Sequence, residues 1–330
     1  RESFPRFELY EATSGDLLIV APRDPAAGLD LAPDAIARAG LAARLGRIRV
    51  DSIEDVRLRK LGDDRSHGRL AAAYGVPANS DFEPFVEQQA PRARLRRDTA
   101  KDLGDVVSAP VPVAELLLGL APPAPGVAYG RATTSSKIGE RVQALAALRA
   151  LTTPAEATPT AAAPTDAPPL EPELAAAIAL ARLGLLRCPA PPLRDETPLL
   201  MAANRVARAV NAALAREQVG PVWRRIEAQP CHAGRSERLR GWIGLHRAVA
   251  ERDLPQMARL GRTLLAADPA APREAVEVAL GAAMLAEVAA GRSDAARALL
   301  ESAVTRLGRE ALRSPLWLGL ATWPTQRPKP

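Results

Sequence analysis

Apolar and polar residues alternate along Phe7-Glu-Leu-Tyr-Glu-Ala-Thr13, and after Ser14-Gly15-Asp16 the run Leu17-Leu-Ile-Val-Ala21 is apolar throughout. A period of two followed by a continuous apolar run predicts a β-hairpin whose second strand is buried on both faces. Pro22, which cannot donate to a ladder, ends it. The pattern then turns helical. One helix is expected from about residue 33 to 45, with Ile36, Leu41 and Leu45 apolar and Asp34 near its positive end. A second is expected to start at Ser52, which can cap it, and a short third to run over 66–74 and stop at Gly75. Asn79-Ser-Asp-Phe-Glu-Pro-Phe85 reads as a loop, because Asx and Ser side chains bond to nearby backbone and Pro84 forbids a continuing helix. Residues 91–107 read as a basic amphipathic helix. Asp98 and Asp102 lie within reach of Arg92, Arg94, Arg96 and Arg97, so a solvated face is expected there.

From 121 to 170 the composition shifts to a linker. A Pro-rich break at 121–126 precedes one helix over 137–151, and then Pro/Ala/Thr low complexity runs to 172. Beyond Leu170 the pattern predicts helix after helix: about 171–186, 196–216, 219–228, 236–251, 254–267, 272–290, 293–307 and 309–320. Trp242, Leu245, Ala258 and Leu265 stand at the large, large, small, apolar spacing of a tetratricopeptide unit. Gly291, Ala296, Leu300 and Ala303 take the late positions of another. Ala258 and Ala296 are 38 residues apart, against a usual period of about 34. A long turn at Asp268-Pro-Ala-Ala-Pro272 absorbs the difference.

Composition agrees with a helical reading. Of the 330 residues 47% are hydrophobic but only 3% aromatic, so the core must be built from Ala, Leu and Val, which suit close-packed helices. The net charge of +6 raises the question of nucleic acid. The first 115 residues carry 17 basic and 19 acidic side chains, so the excess lies beyond them, scattered among acids rather than gathered in a stripe. No nucleic-acid partner is expected. The two cysteines, Cys188 and Cys231, read as incidental thiols in a reducing compartment.

Little catalytic chemistry is visible. There is no phosphate-cradling Gly-rich loop, no nucleophile elbow and no paired-His metal motif. His67, His232 and His246 have unrelated surroundings, and His246 reads as a surface or core-edge residue. Asp63-Asp64, between Gly62 and Arg65, reads as a solvated turn. The residues present form no self-sufficient active site.

Three stretches nevertheless resemble a family. Phe4-Pro-Arg-Phe-Glu-Leu-Tyr-Glu-Ala-Thr-Ser-Gly-Asp-Leu-Leu-Ile-Val-Ala21 resembles the terminal hairpin of bacterial spermidine-synthase-like proteins. Asn79-Ser-Asp-Phe-Glu-Pro-Phe-Val-Glu87 resembles their Asn-(Ser/Thr)-Asp-x-x-Pro-x-x-(Asp/Glu) segment, and Ala90-Pro-Arg-Ala-Arg-Leu95 the Ala-Pro-Arg segment that follows. The resemblance is closest to fused forms that carry membrane helices ahead of the synthase-like domain and, in some members, tetratricopeptide-like helices behind it.

The resemblance implies a mixed fold: residues 1–120 as the C-terminal part of a Rossmann-like, methyltransferase-type α/β domain, 121–170 as linker, and 171–330 as an all-α tetratricopeptide-like array. It implies decarboxylated S-adenosylmethionine as the full-length cofactor, with the Gly-rich loop, ribose-binding acid and catalytic aspartate all upstream of Arg1, so the chain alone is expected to be inactive. Asn79 and Asp81 match a family motif and are the candidate substrate-binding residues, although a loop-stabilising role also accounts for them. Expected partners are the protein's own preceding synthase-like and membrane segments. The Arg-rich helical region adds an acidic peptide or protein. The expected location is the cytoplasmic face of the bacterial inner membrane, without a membrane span in this chain.

Overall fold

The computed structural model describes most of residues 5–68, residues 109–118, 136–153, 170–188 and 195–308, and most of 315–323. Asn79, Asp81, the expected basic helix at 91–107 and the low-complexity stretch 154–169 lie outside the described residues. The described chain is mostly helical, with one three-stranded sheet. Among the described residues no helix is long and apolar enough to cross a membrane.

The hairpin forms as expected. Strands β1 (Glu8–Thr13) and β2 (Asp16–Val20) pair antiparallel, with Leu9 opposite Ile19, and β3 (Lys60–Asp63) pairs antiparallel with the other edge of β1. Leu9, Leu61 and Val50 are buried beside this small sheet. Asp63, expected in a turn, closes β3, and only Asp64 turns away, its N–H bonded to the Phe7 carbonyl.

One expectation fails clearly. Leu17, Leu18, Ile19 and Val20 are 40%, 53%, 64% and 37% exposed, so β2 is open on both faces rather than buried. An apolar run reports what a strand is suited to bury. Here β2 is an edge strand paired only with β1, and nothing described covers it. The helix expected at 33–45 is shorter as well. Residues 34–37 form a turn and α1 (Leu41–Arg47) starts only after Gly40, whose φ of +80° breaks the path. Helix α2 (Ile53–Leu58) is capped as anticipated: the Asp55 N–H donates to Ser52 Oγ at 3.2 Å, and Ser52 N–H to Asp55 Oδ2 at 2.8 Å.

From residue 109 onward a single hydrophobic core runs to Ala321. Its helices are α3 (Val113–Leu118), α4 (Ser136–Thr152), α5 (Pro172–Ala181) with a π-helical turn Arg182–Leu186, and α6 (Thr197–Val210). They continue as α7 (Arg216–Glu227), α8 (Glu237–Glu251), α9 (Leu254–Ala267), α10 (Arg273–Ala289), α11 (Ser293–Leu307) and α12 (Pro315–Ala321). The helix expected over 196–216 ends earlier, at Val210, and the one expected over 219–228 starts earlier, at Arg216.

Helix α10 is the centre of the core. Every residue from Ala275 to Val288 except Glu277 is buried, the mark of a helix enclosed by others. Small residues let its neighbours come close. A Cβ on Gly261 of α9 would stand 2.6 Å from the Ala279 carbonyl oxygen, and one on Gly281 of α10 would stand 3.1 Å from Val111 and 3.3 Å from Trp317. Of the positions in the repeat spacing, Trp242, Leu245, Ala258, Ala296 and Ala303 are buried, Leu265 and Leu300 pack against the core, and Gly291 is exposed in the turn before α11. The stretch 109–118 and helix α4 join that same core through Ala109, Val111, Val113, Ala144, Ala147 and Leu151.

Arg252 ties the helix ends together. It sits in the left-handed region (φ 58°) as the C-cap of α8, whose turn closes with Asp253 N–H to Ala248 O. Its guanidinium donates to the carbonyls of Asn211, Leu214, Val249 and Ala250, and pairs with Glu115 of α3 at 2.6 Å. Asn211 continues the network, accepting from Trp223 Nε1 at 2.8 Å and donating to the His246 carbonyl at 3.0 Å.

His246 is not at the surface or the core edge, as its sequence neighbours suggested, but wholly buried. Its ring lies 5.1 Å from that of Trp223 and 6.4 Å from that of Trp242, and neither ring nitrogen has a hydrogen-bond partner. Burial pushes its pKa down to about 3. In the unfolded chain it titrates near 6.5, so stability is fully present above that value and falls as the pH drops toward 3, by roughly 4–5 kcal/mol. A His246→Leu variant removes no hydrogen bond of the ring. It should stay within ~1.5 kcal/mol of the parent at pH 7 and lose this part of the acid slope, read from urea titrations between pH 7 and pH 4. An unchanged slope assigns the acid sensitivity to other groups.

Candidate functional site

The residues singled out from sequence do not converge. Asn79 and Asp81 are outside the described residues, His67 is buried near β3, and His246 is enclosed in the helical core. Asp63 and Asp64 line a cleft of about 480 Å³ with Arg6, Glu8 and Leu29. Glu8 there is held by Lys60 Nζ and by Tyr10 Oη, the latter at 2.5 Å. Among the described residues no group of His, Cys, Asp and Glu could hold a metal ion. Strand β2 leads into Pro22, not into a Gly-rich turn opening a helix.

The most built corner of the molecule is one that sequence reading passed over. Helices α6 and α8 run side by side in the same direction, with Glu196 at the start of one and Ser236 capping the other. Ser236 gives both its N–H (3.1 Å) and its hydroxyl (2.5 Å) to Glu196 Oε2, while its Oγ accepts from Leu239 N–H. The buried Arg235 lies 3.5 Å from Glu196 Oε1 and donates to the Gly184 carbonyl at 2.6 Å, which joins the π turn to α8. Gly184 is needed at that contact, since a Cβ would meet Leu199 at 2.6 Å. Beside these groups a cleft of about 290 Å³ opens, lined by Asp195, Glu196, Thr197, Leu200, Ser236, Arg238 and Leu239. The backbone N–H and side chain of Thr197 hold the Asp195 carboxyl below its usual pKa.

Across the same corner runs a disulfide. Cys188 and Cys231 are bonded, with Cα atoms 5.5 Å apart. They are not the two free thiols that sequence reading expected, and among the described residues no cysteine is free. Nothing in the spacing of two cysteines 43 residues apart shows that they meet. The turn Pro230–His232 and the left-handed Cys188 (φ 52°) after the π turn bring them together. Next to Cys231, His232 has its pKa lowered by burial and by the charges of Arg240 and Arg235.

Around the array the arginines are mostly engaged. Arg208 and Arg273 share Glu277, Arg224 pairs with Glu251, and Arg247 pairs with Glu227. Burial raises the pKa of Glu227 in spite of Arg247. The wholly buried Glu287 is met by Arg262 at 2.8 Å and Arg292 at 2.5 Å, and that bond raises the Arg292 pKa. Arg238 and Trp242 Nε1 both donate to Asp268, at 2.8 and 3.0 Å.

No family model matches the chain, and it has no match among curated proteins or solved structures. The resemblance of residues 1–120 therefore rests on its three stretches alone.

The disulfide closes a loop of 43 residues, for which restriction of the unfolded chain is worth about 4 kcal/mol. The native protein, denatured without reductant, should bind no thiol-reactive dye at the described cysteines, and reduction should lower the free energy of unfolding by about that amount. Two reactive thiols before reduction would contradict the bond.

Proposed function

We propose that the helical array is a protein-interaction module that takes an acidic peptide or protein segment. The observation that carries this reading is the array itself. Helices α8 to α11 pack in succession, each on the next, with small residues at the contacts, in the manner of tetratricopeptide-type pairs, whose surfaces bind extended or helical segments through side chains. The arginines left over from internal pairing supply the preference for carboxylates. With the full chain, a fluorescein-labelled 12-residue Glu-rich peptide should bind at least ~10-fold tighter than a neutral or Lys-rich peptide of equal length. Binding should weaken as salt rises from about 0.05 to about 0.5 M. Equal binding of the three peptides, or none, rejects the module.

A second reading concerns the first third of the chain, where four apolar side chains on both faces of β2 stand open to solvent. We infer that this strand belongs to a larger sheet, the Rossmann-like domain of a spermidine-synthase-like protein whose aminopropyl-transferring parts precede Arg1. Covering both faces of β2 accounts for an uninterrupted Leu-Leu-Ile-Val run. In the longer polypeptide, amide hydrogen exchange at Leu17–Val20 should slow at least ~100-fold relative to the present chain. Unchanged exchange counts against the reading.

As to location, the absence of a membrane-crossing helix among the described residues leaves both sides of a membrane open. Disulfides persist in oxidising compartments. Cys188–Cys231 therefore favours an oxidising side for the array over the cytoplasmic face expected from sequence.

A further inference from the structure

Among the described arginines of residues 171–307, Arg187, Arg225 and Arg240 are exposed and have neither a carboxylate nor a carbonyl partner. They are not scattered. Arg187 directly precedes Cys188, and the disulfide holds that residue 5.5 Å from Cys231, beside His232. Arg240 is close enough to act electrostatically on His232. Arg225 stands in the last turn of α7, from which the chain runs straight into Pro230–His232. The acids nearby are mostly committed elsewhere: Glu196 to Ser236 and Arg235, Glu227 to Arg247, and Asp195 to Thr197. Glu237, in the first turn of α8, has no such partner. One helical turn before Arg187, Leu183 is 49% exposed.

We propose that this disulfide-braced corner is the docking surface for an acidic segment of a partner protein, whose carboxylates are taken by Arg187, Arg225 and Arg240 while an apolar side chain rests on Leu183. The proposal rests on the interaction-module reading and assigns it a place. Charge complementarity identifies the occupant. Three guanidiniums without internal partners offer forked donors matched to carboxylates, whereas the other exposed arginines described in the array are paired with an acid or bonded to a nearby carbonyl or amide, as Arg306 is to the Leu265 and Asp268 carbonyls and Arg259 to Gln256. The bond between Cys188 and Cys231 keeps Arg187, which belongs to the α5 end of the array, within reach of the two arginines on α7 and α8.

The test uses the full chain and the labelled Glu-rich peptide, with a Leu included in its sequence. Reversal of two corner arginines (Arg187→Glu with Arg240→Glu) should weaken binding about 10-fold or more. Reversal of two exposed arginines with local partners (Arg216→Glu with Arg297→Glu) should change it less than about two-fold. The milder Arg187→Gln with Arg240→Gln pair, expected to lose about five-fold, covers the case in which reversal disturbs folding, and helical circular dichroism is checked for each. If the corner and control pairs weaken binding equally, the docking surface is elsewhere and the proposal falls while the module reading stands. If the parent binds no acidic peptide, both fall. If a single-stranded oligonucleotide of the same charge binds the corner more tightly than the peptide, the assigned partner class is wrong.

Discussion

One guanidinium holds together the ends of helices that would otherwise leave their carbonyls unmet. Arg252 occupies a left-handed backbone position at the close of α8 and from there satisfies carbonyls at the ends of α6 and α8, while its charge is balanced by Glu115 from a segment 137 residues earlier. Buried helix ends need such partners, and a buried charge needs a counter-charge. One side chain meets both needs at once. The neighbouring Asn211, bridging Trp223 to the His246 backbone, extends this polar junction into the aromatic part of the core. The remainder is apolar packing, and α10 can be buried on all sides only because these junctions fix where its neighbours end.

Much of this architecture was legible in the sequence. The helices from α8 to α11 fall close to the bounds set by apolar periodicity, and the small residues at 258, 296 and 303 are inside, where their spacing put them. Ser52 caps α2 because Ser at that position has a donor to meet. Other features depended on information that local pattern does not carry. The Leu17–Val20 run states a capacity for burial, and whether layers exist to use it is a matter of tertiary structure. His246 sits between Leu245 and Arg247 in the chain, yet its ring faces Trp223 of another helix as well as Trp242 one turn earlier on its own. The joining of Cys188 to Cys231 depends on a π turn and a 3-10 turn whose geometry no residue count predicts.

The candidate site was hidden for a related reason. In the sequence the arginines form a diffuse excess, and any of them could face a partner. The structure divides them by what they already touch. Glu287 alone absorbs two, and Glu277 absorbs two more. Pairs with both partners exposed, such as Arg216–Glu217, add little to stability, whereas the buried Glu287 needs its arginines as counter-charges. Their effect here is to offset much of the positive surface, which leaves the unpaired arginines near the disulfide among the few free to meet a partner. Asn79 and Asp81, the residues that the family resemblance singled out, bear on a different part of the chain and a different chemistry.

The placement of the tryptophans has an optical consequence. All four lie between residues 223 and 323, and Trp223, Trp242 and Trp317 are buried in the helical core. Emission excited at the red edge of the indole band therefore comes from the array alone, while the sheet, whose aromatic residue is Tyr10, is dark at that wavelength. The protein thus carries its own label for the helices, with no dye attached: indole emission reports the array without a contribution from the hairpin.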